Sequence, residues 1–217
     1  MKTWRRRAYC LLAALIVVPA FQLQPIPAQA QSEAAYIVGF PSVEQWYSLS
    51  CEYAAAAAVT LYYGNLVSQR DFLNEVPQDP NPHIGFRGNV NAEWGGTTNY
   101  GVYAEPLVPV LAARGYEAQV FYGPVSRLKA ELAAGHPVVV WYAGKRGYLP
   151  RTYVTYAGDT FSLTPWEHAV VAYGYDAGGV RVMDVGNGGR YYYAWSSFTA
   201  RWNYFDEMAL VITPASN

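Results

Sequence analysis

The chain has 217 residues, with 15 basic and 16 acidic side chains and a net charge of −1. Four basic residues and no acidic ones lie in the first thirty positions, so residues 31–217 carry 11 basic and 16 acidic side chains, a net charge of −5. A weakly charged, acidic chain argues against nucleic acid as a partner and provides no basic patch for anionic lipid. Residues 31–217 suit one domain with its own core.

Residues 1–30 predict a cleaved export signal. Four basic residues within positions 2–7 precede an apolar run at positions 8–21. Ala28-Gln29-Ala30 fits the preference of signal peptidase for small residues at the cleavage site. The apolar run is shorter than the ~20 residues that span a bilayer. A retained signal anchor is the alternative, but we expect no stable membrane insertion once the signal is removed. The protein is therefore expected to be secreted or extracytoplasmic, in the periplasm or at the cell surface.

Helices are predicted in the first half of the chain. The segment Cys51–Tyr63 is rich in alanine and is followed by Gly64, which can cap its end. A capping box at Ser68 opens a second, short helix. Further helices are predicted over Tyr103–Arg114 and Ser126–Ala134, each ended by a glycine.

Residues 78–101 separate the second and third of these helices. The segment is rich in proline, glycine and asparagine and has no clear period, so we predict a long irregular loop. Loops of that length inside a compact domain are usually functional or disordered. The loop is therefore a candidate wall or lid of a substrate cleft, and an ordered surface loop is the alternative.

The second half of the chain predicts a sheet. Continuous apolar runs with β-branched residues are typical of buried strands, and Asp176-Ala177-Gly178-Gly179 is a hairpin signal between two of them. Helices segregated from a largely antiparallel sheet indicate an α+β fold. The predicted strands are Pro137–Tyr142, His168–Tyr175, Val180–Val185, Arg190–Trp195 and Glu207–Thr213.

Cys51 is the first candidate for chemistry. The only other cysteine, Cys10, lies in the predicted signal, so the exported domain would hold one unpaired thiol in an oxidising compartment. Such a thiol is either an inert buried side chain or a reactive one. The start of a helix lowers a thiol pKa, and an adjacent imidazolium lowers it further, so the position of Cys51 favours a nucleophile.

Three histidines could supply that imidazole. His83 lies in the long loop, and His136 precedes Pro137 at the start of a buried strand, where a structural role explains it. His168 begins the strand that continues through residues 169–172 and would be held rigidly at the end of the sheet. A rigid position suits a general base, so His168 is the candidate partner of Cys51.

Asp184 is the candidate that orients the imidazole. A three-residue turn over residues 176–178 would pair Tyr175 with Gly179 and set Asp184 diagonal to His168, within reach of a hydrogen bond. A four-residue turn without a bulge would put Asp184 on the other face. Asn187 is the substitute in that register, and a structural role in the turn is the alternative for Asp184.

Gln45 lies six residues before Cys51 and could stabilise an oxyanion. Its side-chain amide and the Cys51 backbone N–H would be the two donors. Without the cysteine, a surface glutamine would be the default interpretation. One exported cysteine and three scattered histidines give no zinc spacing, so no metal or other cofactor is expected.

These residues resemble those of the papain-like cysteine peptidases. A glutamine six residues before a helix-heading cysteine, with the helix ending in Tyr62-Tyr63-Gly64, more closely resembles the bacteriocin-processing (double-glycine leader) peptidase family and its exported, stand-alone relatives. The segment Glu167–Asp176 is similar to the histidine strand of that family, and an aspartate about sixteen residues later, here Asp184, would complete the triad. The segments 81–88 and 100–107 also resemble the stand-alone branch.

The resemblance covers about 40–213 and implies a papain-like α+β fold with Cys–His–Asp chemistry. Two features depart from the family: its usual Asp-Pro after the histidine strand is Asp184-Val185 here, and the transporter-linked members carry an exporter and an ATPase that this sequence does not include. Cleavage of double-glycine leaders is therefore not expected to carry over.

The sequence therefore predicts a secreted, monomeric thiol peptidase that hydrolyses a peptide or isopeptide bond in a peptide or protein substrate. Two alternatives stay open. One is an acyltransferase with the same triad, similar to a transglutaminase. The other is a non-catalytic module that binds peptide or cell wall on a peptidase fold.

Overall fold

The computed structural model describes residues 33–216. The predicted signal over 1–30 and Cys10 lie outside the described residues, so export stays a prediction. Five α-helices and one 3₁₀ turn are present in this part of the chain: α1 Cys51–Tyr62, α2 Gln69–Glu75, α3 Leu107–Ala112, α4 Val125–Ala133, α5 Trp195–Trp202 and η1 Asn203–Phe205.

The same residues form nine strands. They are β1 Ala35–Tyr36, β2 Tyr116–Tyr122, β3 Val138–Ala143, β4 Thr152–Tyr156, β5 Asp159–Leu163, β6 Glu167–Tyr175, β7 Gly179–Asp184, β8 Gly189–Ala194 and β9 Met208–Pro214. Seven of them make one antiparallel sheet in the order β2-β9-β3-β6-β7-β8, with β1 paired to the end of β6. Strands β4 and β5 form a separate hairpin.

The central strands β3 and β6 are buried along their whole length, as their continuous apolar sequence predicts. Helix α1 contacts β6, β3 and β9, and its five consecutive alanines at 54–58 are at most 2% exposed. Small side chains let this helix approach the sheet closely, so it is buried on nearly every face. The first residue of α1, Cys51, is thereby held against the sheet.

The two faces of the sheet carry different helices. Trp141 on β3 donates its indole N–H to the Val102 carbonyl at 2.9 Å, on the side of α1. The next residue, Tyr142, lies under the guanidinium of Arg201 from α5, 3.9 Å from the ring centroid. Consecutive side chains of a strand point to opposite faces, so α1 and α5 cover opposite sides of the sheet.

The predicted elements are present with small shifts in their ends, and the α+β class is confirmed. Helix α2 begins with the predicted capping box, in which Ser68 and Asp71 exchange side-chain and backbone hydrogen bonds. The helix predicted over Tyr103–Arg114 is shorter, because Pro106 stands at its N-cap and Pro109 lies within its first turn.

Six elements were not predicted: strands β1, β2, β4 and β5, helix α5 and the 3₁₀ turn η1. Trp195 was predicted as the end of a strand and instead begins α5. Helices and strands are therefore less segregated along the chain than expected. Among residues 33–216, no helix is both long enough and apolar enough to span a bilayer.

Candidate active site

A cavity of about 480 Å³ opens where β6 begins and β7 ends. Three of the four predicted site residues line it, namely Gln45, His168 and Asp184. Cys51 is not among the described residues that line it. The other lining residues are Ser48, Trp94, Tyr142, Gly144, Gly186, Asn187, Tyr191, Tyr193 and Arg201.

His168 and Asp184 form the central polar pair of this cavity. The imidazole Nε2 lies 2.7 Å from Asp184 Oδ1, and only 8% of His168 is exposed. Asp184 pairs with Val170 across the ladder, which sets it diagonal to His168 on the same face. The predicted proximity is thus present, while the catalytic role of both residues stays a prediction.

The turn that produces this register differs from the predicted one. Tyr175 pairs with Val180 rather than Gly179, so the loop has the four residues 176–179. A four-residue loop alone would turn Asp184 to the other face. The register shifts between Ala172 and Gly174, and this β-bulge restores the face that the shorter turn would have produced.

Asp184 is held as a carboxylate. Its partial burial raises its pKa, but the hydrogen bond to His168, the attraction of the imidazole charge and the Gly186 backbone N–H together hold the pKa below the ordinary value. Asn187, the predicted substitute, does not replace it. The Asn187 amide donates to the Tyr191 hydroxyl at 2.7 Å and accepts from the Gly189 backbone N–H.

Trp94, from the long loop, forms a wall of the cavity. Its ring lies edge-on to His168, with centroids 5.7 Å apart, and edge-on to Trp166 at 5.0 Å. Its indole N–H donates to the Glu167 carbonyl at 2.6 Å. The loop 78–101 contains no helix or named strand, as predicted, and it contributes a side chain that covers the imidazole.

Arg201 is a cavity residue that sequence reasoning missed. It is 7% exposed, donates from Nε to the Ala143 carbonyl at 2.6 Å and from Nη2 to the Gly144 carbonyl at 3.0 Å. Its charge lies over the Tyr142 ring and contributes to the lowered pKa of Asp184. No sequence pattern indicated a site role for Arg201, because helix α5, which carries it, was not predicted.

Cys51 is buried where the start of α1 packs against β6. It is 3% exposed, and its Sγ donates to Glu167 Oε2 at 3.8 Å. Glu167 and His168 are consecutive residues of a strand, so their side chains point to opposite faces of the sheet. The thiol contacts the Glu167 carboxyl group and the Ala169 backbone N–H, which acts to lower its pKa, and the imidazole of His168 lines the cavity.

The pKa of the Cys51 thiol differs from the prediction. Burial, followed by the charges of Glu167 and Glu52, raises the pKa of the thiol well above its ordinary value. The position at the start of a helix was expected to lower it. Loss of hydration and two adjacent acidic groups outweigh the helix terminus here, because both act on the sulfur at short range in a dry environment.

Gln45 lines the cavity with its donors already engaged. Its Nε2 donates to the Tyr47 carbonyl at 2.7 Å and to the Ser48 carbonyl at 2.9 Å, while its Oε1 is buried without a hydrogen-bond partner in the described chain. In this arrangement the amide shapes the approach to α1, and the predicted oxyanion role requires it to release one of those carbonyls.

The two other histidines lie outside the cavity lining, and each is within hydrogen-bond distance of a glutamate. His83 is 3.0 Å from Glu105, and His136 is 2.9 Å from Glu131. Both are half-buried, so the structural interpretation applies to each. Within the described chain, one group of side chains offers metal-ligand atoms close together: Cys51, Glu52 and Glu167, within 4.8 Å of one another.

Comparison with known proteins decides the family. The profile described as the Peptidase_C39-like family matches residues 25–210. The chain belongs to this family. The family and its fold make the chain a cysteine-type peptidase, as the resemblance implied. No curated protein matches it in sequence.

Solved structures support the fold of this peptidase. A protein of Bacillus anthracis described as a C39-like peptidase is 24% identical, with a TM-score of 0.75 over 86% of this chain and all of that one. A double-glycine-motif protease from an AMS/PCAT transporter, in complex with the leader peptide, is 15% identical, with a TM-score of 0.51 over 83% and 99%. The peptidase domain of Streptococcus ComA, a bifunctional ABC transporter, is 14% identical, with a TM-score of 0.50 over 81% and 98%.

Proposed function

We propose that this peptidase is exported and cleaves a peptide or isopeptide bond with Cys51 as nucleophile and His168 as general base. Asp184 orients the imidazole and stabilises its charged form. The observation that carries the proposal is the 2.7 Å pair of His168 and Asp184 in a cavity of a C39-like fold whose first helix begins with the chain's one described cysteine.

The pairing of the imidazole assigns its two nitrogens. Nε2 is engaged with Asp184, so Nδ1 is the nitrogen that would accept the thiol proton. The thiolate then attacks the substrate carbonyl, and the oxyanion is stabilised by the Cys51 backbone N–H and the Gln45 amide. The imidazolium returns its proton to the leaving amine. Water then hydrolyses the thioester, which releases the acid and restores the thiol.

The lining of the cavity supports a polypeptide substrate. Aromatic rings and backbone groups can hold an extended chain, and the cavity combines Trp94, Tyr191 and Tyr193 with the amides of Gln45 and Asn187. The related double-glycine-motif protease is in complex with a leader peptide. We propose the same general class, a peptide or protein, without the leader specificity.

The test is hydrolysis of a peptide library by the full chain and three variants. Cys51→Ala and His168→Ala should lose turnover, and each should release no product above background. Ser48→Ala is the matched control, since Ser48 is a second nucleophile type in the same cavity. Turnover that survives in Cys51→Ala and disappears in Ser48→Ala would contradict the proposal.

Two further measurements test the finer parts of the proposal. Adding a primary amine during turnover should leave the products as free acids, because a hydrolase passes the acyl group to water. An amide product would indicate acyl transfer instead. The export proposal predicts a mature N-terminus at residue 31 in material recovered from outside the cytoplasm, read by mass spectrometry. Intact residues 1–30 in that material would contradict signal cleavage.

A further inference from the structure

A second cavity of about 330 Å³ lies beside the cavity of His168, and we call it the basic pocket. Its lining comes from the loop after β3, helix α5 and the turn η1. Three of its seven lining residues are cationic, namely Lys145, Arg146 and Arg201, and none is acidic. Residues 31–217 carry 11 basic and 16 acidic side chains, so this pocket is opposite in charge to the chain as a whole. Such a pocket attracts an anionic ligand.

The cations of the basic pocket have no carboxylate partner within residues 33–216. Every ion pair of that part of the chain uses other basic residues. Lys145 instead places its Nζ 4.7 Å from the centroid of the Trp166 ring. An aromatic ring has no acceptor oxygen, so this contact leaves the ammonium donors of Lys145 available to an anion. The side chains of Lys145 and Arg146 are exposed, so a ligand can reach both.

Arg201 is the buried cation of the basic pocket, with 7% of the residue exposed. Its hydrogen bonds go to the backbone carbonyls of Ala143 and Gly144, and they leave further N–H donors of the guanidinium without an acceptor in the described chain. The charge of Arg201 also acts on Asp184, but that carboxylate is bonded to His168. A buried charge without a paired charge is costly, and a bound carboxylate would offset part of that cost.

Helix α5 adds a neutral donor to the basic pocket. Ser197 and Arg201 are four residues apart on α5, so they lie on the same face of the helix, and both line the pocket. The Ser197 hydroxyl is half-buried and has no hydrogen-bond partner among the described residues. Tyr204 holds the facing loop, because its hydroxyl accepts from the Leu149 N–H at 3.1 Å and donates to the Gly147 carbonyl at 3.2 Å. The donors are thus held around one space.

The strand ladder places the basic pocket next to His168. Tyr142 on β3 pairs with His168 on β6, and the chain then continues from β3 into the loop 144–147, which carries the two exposed cations. Arg201 lines both cavities, so they share a wall. A peptide bound beside His168 therefore lies next to the basic pocket.

We propose that the basic pocket is a subsite that binds a carboxylate of the peptide substrate, either an acidic side chain or a free C-terminus. This rests on the proposed function, in which the peptide is cleaved beside His168. Arg201 donates to the carboxylate from the buried side, and Lys145 and Arg146 attract it from the exposed side. The Ser197 hydroxyl donates a further hydrogen bond. Charge-assisted hydrogen bonds are stronger than neutral ones, so this subsite gives the peptidase a preference for acidic peptides.

The test measures peptide binding to the full chain carrying Cys51→Ala, so that turnover does not remove the ligand. One probe is a library of random hexapeptides, acetylated and amidated, with glutamate or glutamine at each position in turn. The other is a library without acidic side chains that ends in a free carboxylate or an amide. Peptides retained by the immobilised protein are quantified by mass spectrometry. We expect the carboxylate form to be retained about tenfold more than its amide counterpart in one library, which identifies the source of the carboxylate.

Variants of the two exposed cations locate this preference. Adding Lys145→Gln and Arg146→Gln should lower it by about fivefold, the effect of removing two exposed ion pairs. Adding Lys145→Arg and Arg146→Lys keeps both charges and should keep the preference. Arg70→Glu is the matched control, because it changes the net charge by the same amount at an exposed position of α2 outside the pocket. It should leave the preference unchanged.

Equal retention of carboxylate and amide forms in both libraries would overturn the proposal. So would a preference that survives the two glutamine substitutions, or one that falls equally in Arg70→Glu, which would indicate a general effect of net charge. The proposed function is judged separately by turnover. It fails if Cys51→Ala still cleaves peptide, whereas cleavage by the wild type without any preference for carboxylates refutes the subsite alone.

Discussion

Replacing Glu52 by glutamine should stabilise the protein at neutral pH and leave its stability unchanged in mild acid. Glu52 is fully buried, and desolvation raises its pKa from 4.5 to about 7. The folded state binds the Glu52 proton more tightly than the unfolded chain does. The contribution of this proton to the free energy of unfolding is therefore fully present below about pH 4.5 and is lost as the pH rises to about 7. Glutamine does not titrate, so the variant should keep its free energy of unfolding over this pH range.

The magnitude follows from the two pKa values. The interval from 4.5 to about 7 corresponds to a free energy of the order of 3 kcal/mol, at ~1.4 kcal/mol for each tenfold change in proton affinity. Glutamine keeps an oxygen that can accept from the Val102 backbone N–H. Its NH₂ group would lie beside the Glu167 carboxyl group, whose Oε1 has no hydrogen-bond partner in the described chain. The substitution should therefore introduce no new unsatisfied group.

The assay is urea unfolding followed by tryptophan fluorescence at several pH values between about 4.5 and 8. The free energies of unfolding of wild type and Glu52→Gln should agree at the acid end, and the variant should be more stable by about 2–3 kcal/mol at the alkaline end. Glu52→Ala is the control. It leaves the Val102 N–H without a partner and should be less stable at every pH. Parallel curves for wild type and Glu52→Gln would refute the reasoning.

Three further predictions concern the cavity and the helix that opens with a capping box. Asp184→Asn should lower kcat/KM by about 10²- to 10⁴-fold, because an amide cannot stabilise the imidazolium; a loss within twofold would contradict its orienting role. Gly144→Ala should lower peptide turnover and change the fluorescence of Trp94, since its Cβ would lie 2.3 Å from that ring. Gly96→Ala, which has open space, is the matched control and should change neither. Ser68→Ala should lower the free energy of urea unfolding by about 1 kcal/mol, and an unchanged midpoint would show that the cap contributes nothing.

The positions of His168 and Asp184 show how much of the site local sequence patterns can predict. The strand pattern on either side of the 176–179 loop is enough to place His168 and Asp184 on neighbouring strands, because burial and alternation are local properties. The face that Asp184 takes depends on the parity of the turn and of any bulge. The predicted turn was one residue too short, and the bulge between Ala172 and Gly174 compensated for it. A bulge depends on packing between strands, so residue patterns alone do not reveal it.

Elements with weak local signals were the ones missed. Strand β2 and the exposed β4–β5 hairpin lack a continuous apolar run, and α5 follows directly on β8 without a side-chain cap. Their formation is decided by the partners that they pair with or pack against. Arg201 entered the cavity for that reason, since only the position of α5 against β3 brings its guanidinium over Tyr142.

By itself, the sequence determined the family chemistry: a cysteine heading an alanine-rich helix, a histidine strand, and an aspartate on the next strand. Only the tertiary structure decided the environment of the thiol. Glu167, which contacts the thiol, lies 116 residues from Cys51 along the chain. The Gly101 backbone, from a third segment, packs against the carboxyl groups of Glu52 and Glu167. A helix start lowers a thiol pKa only while the surroundings permit charge. Hydration and neighbouring charges are set by which distant segments pack together, and here they reverse the expected shift.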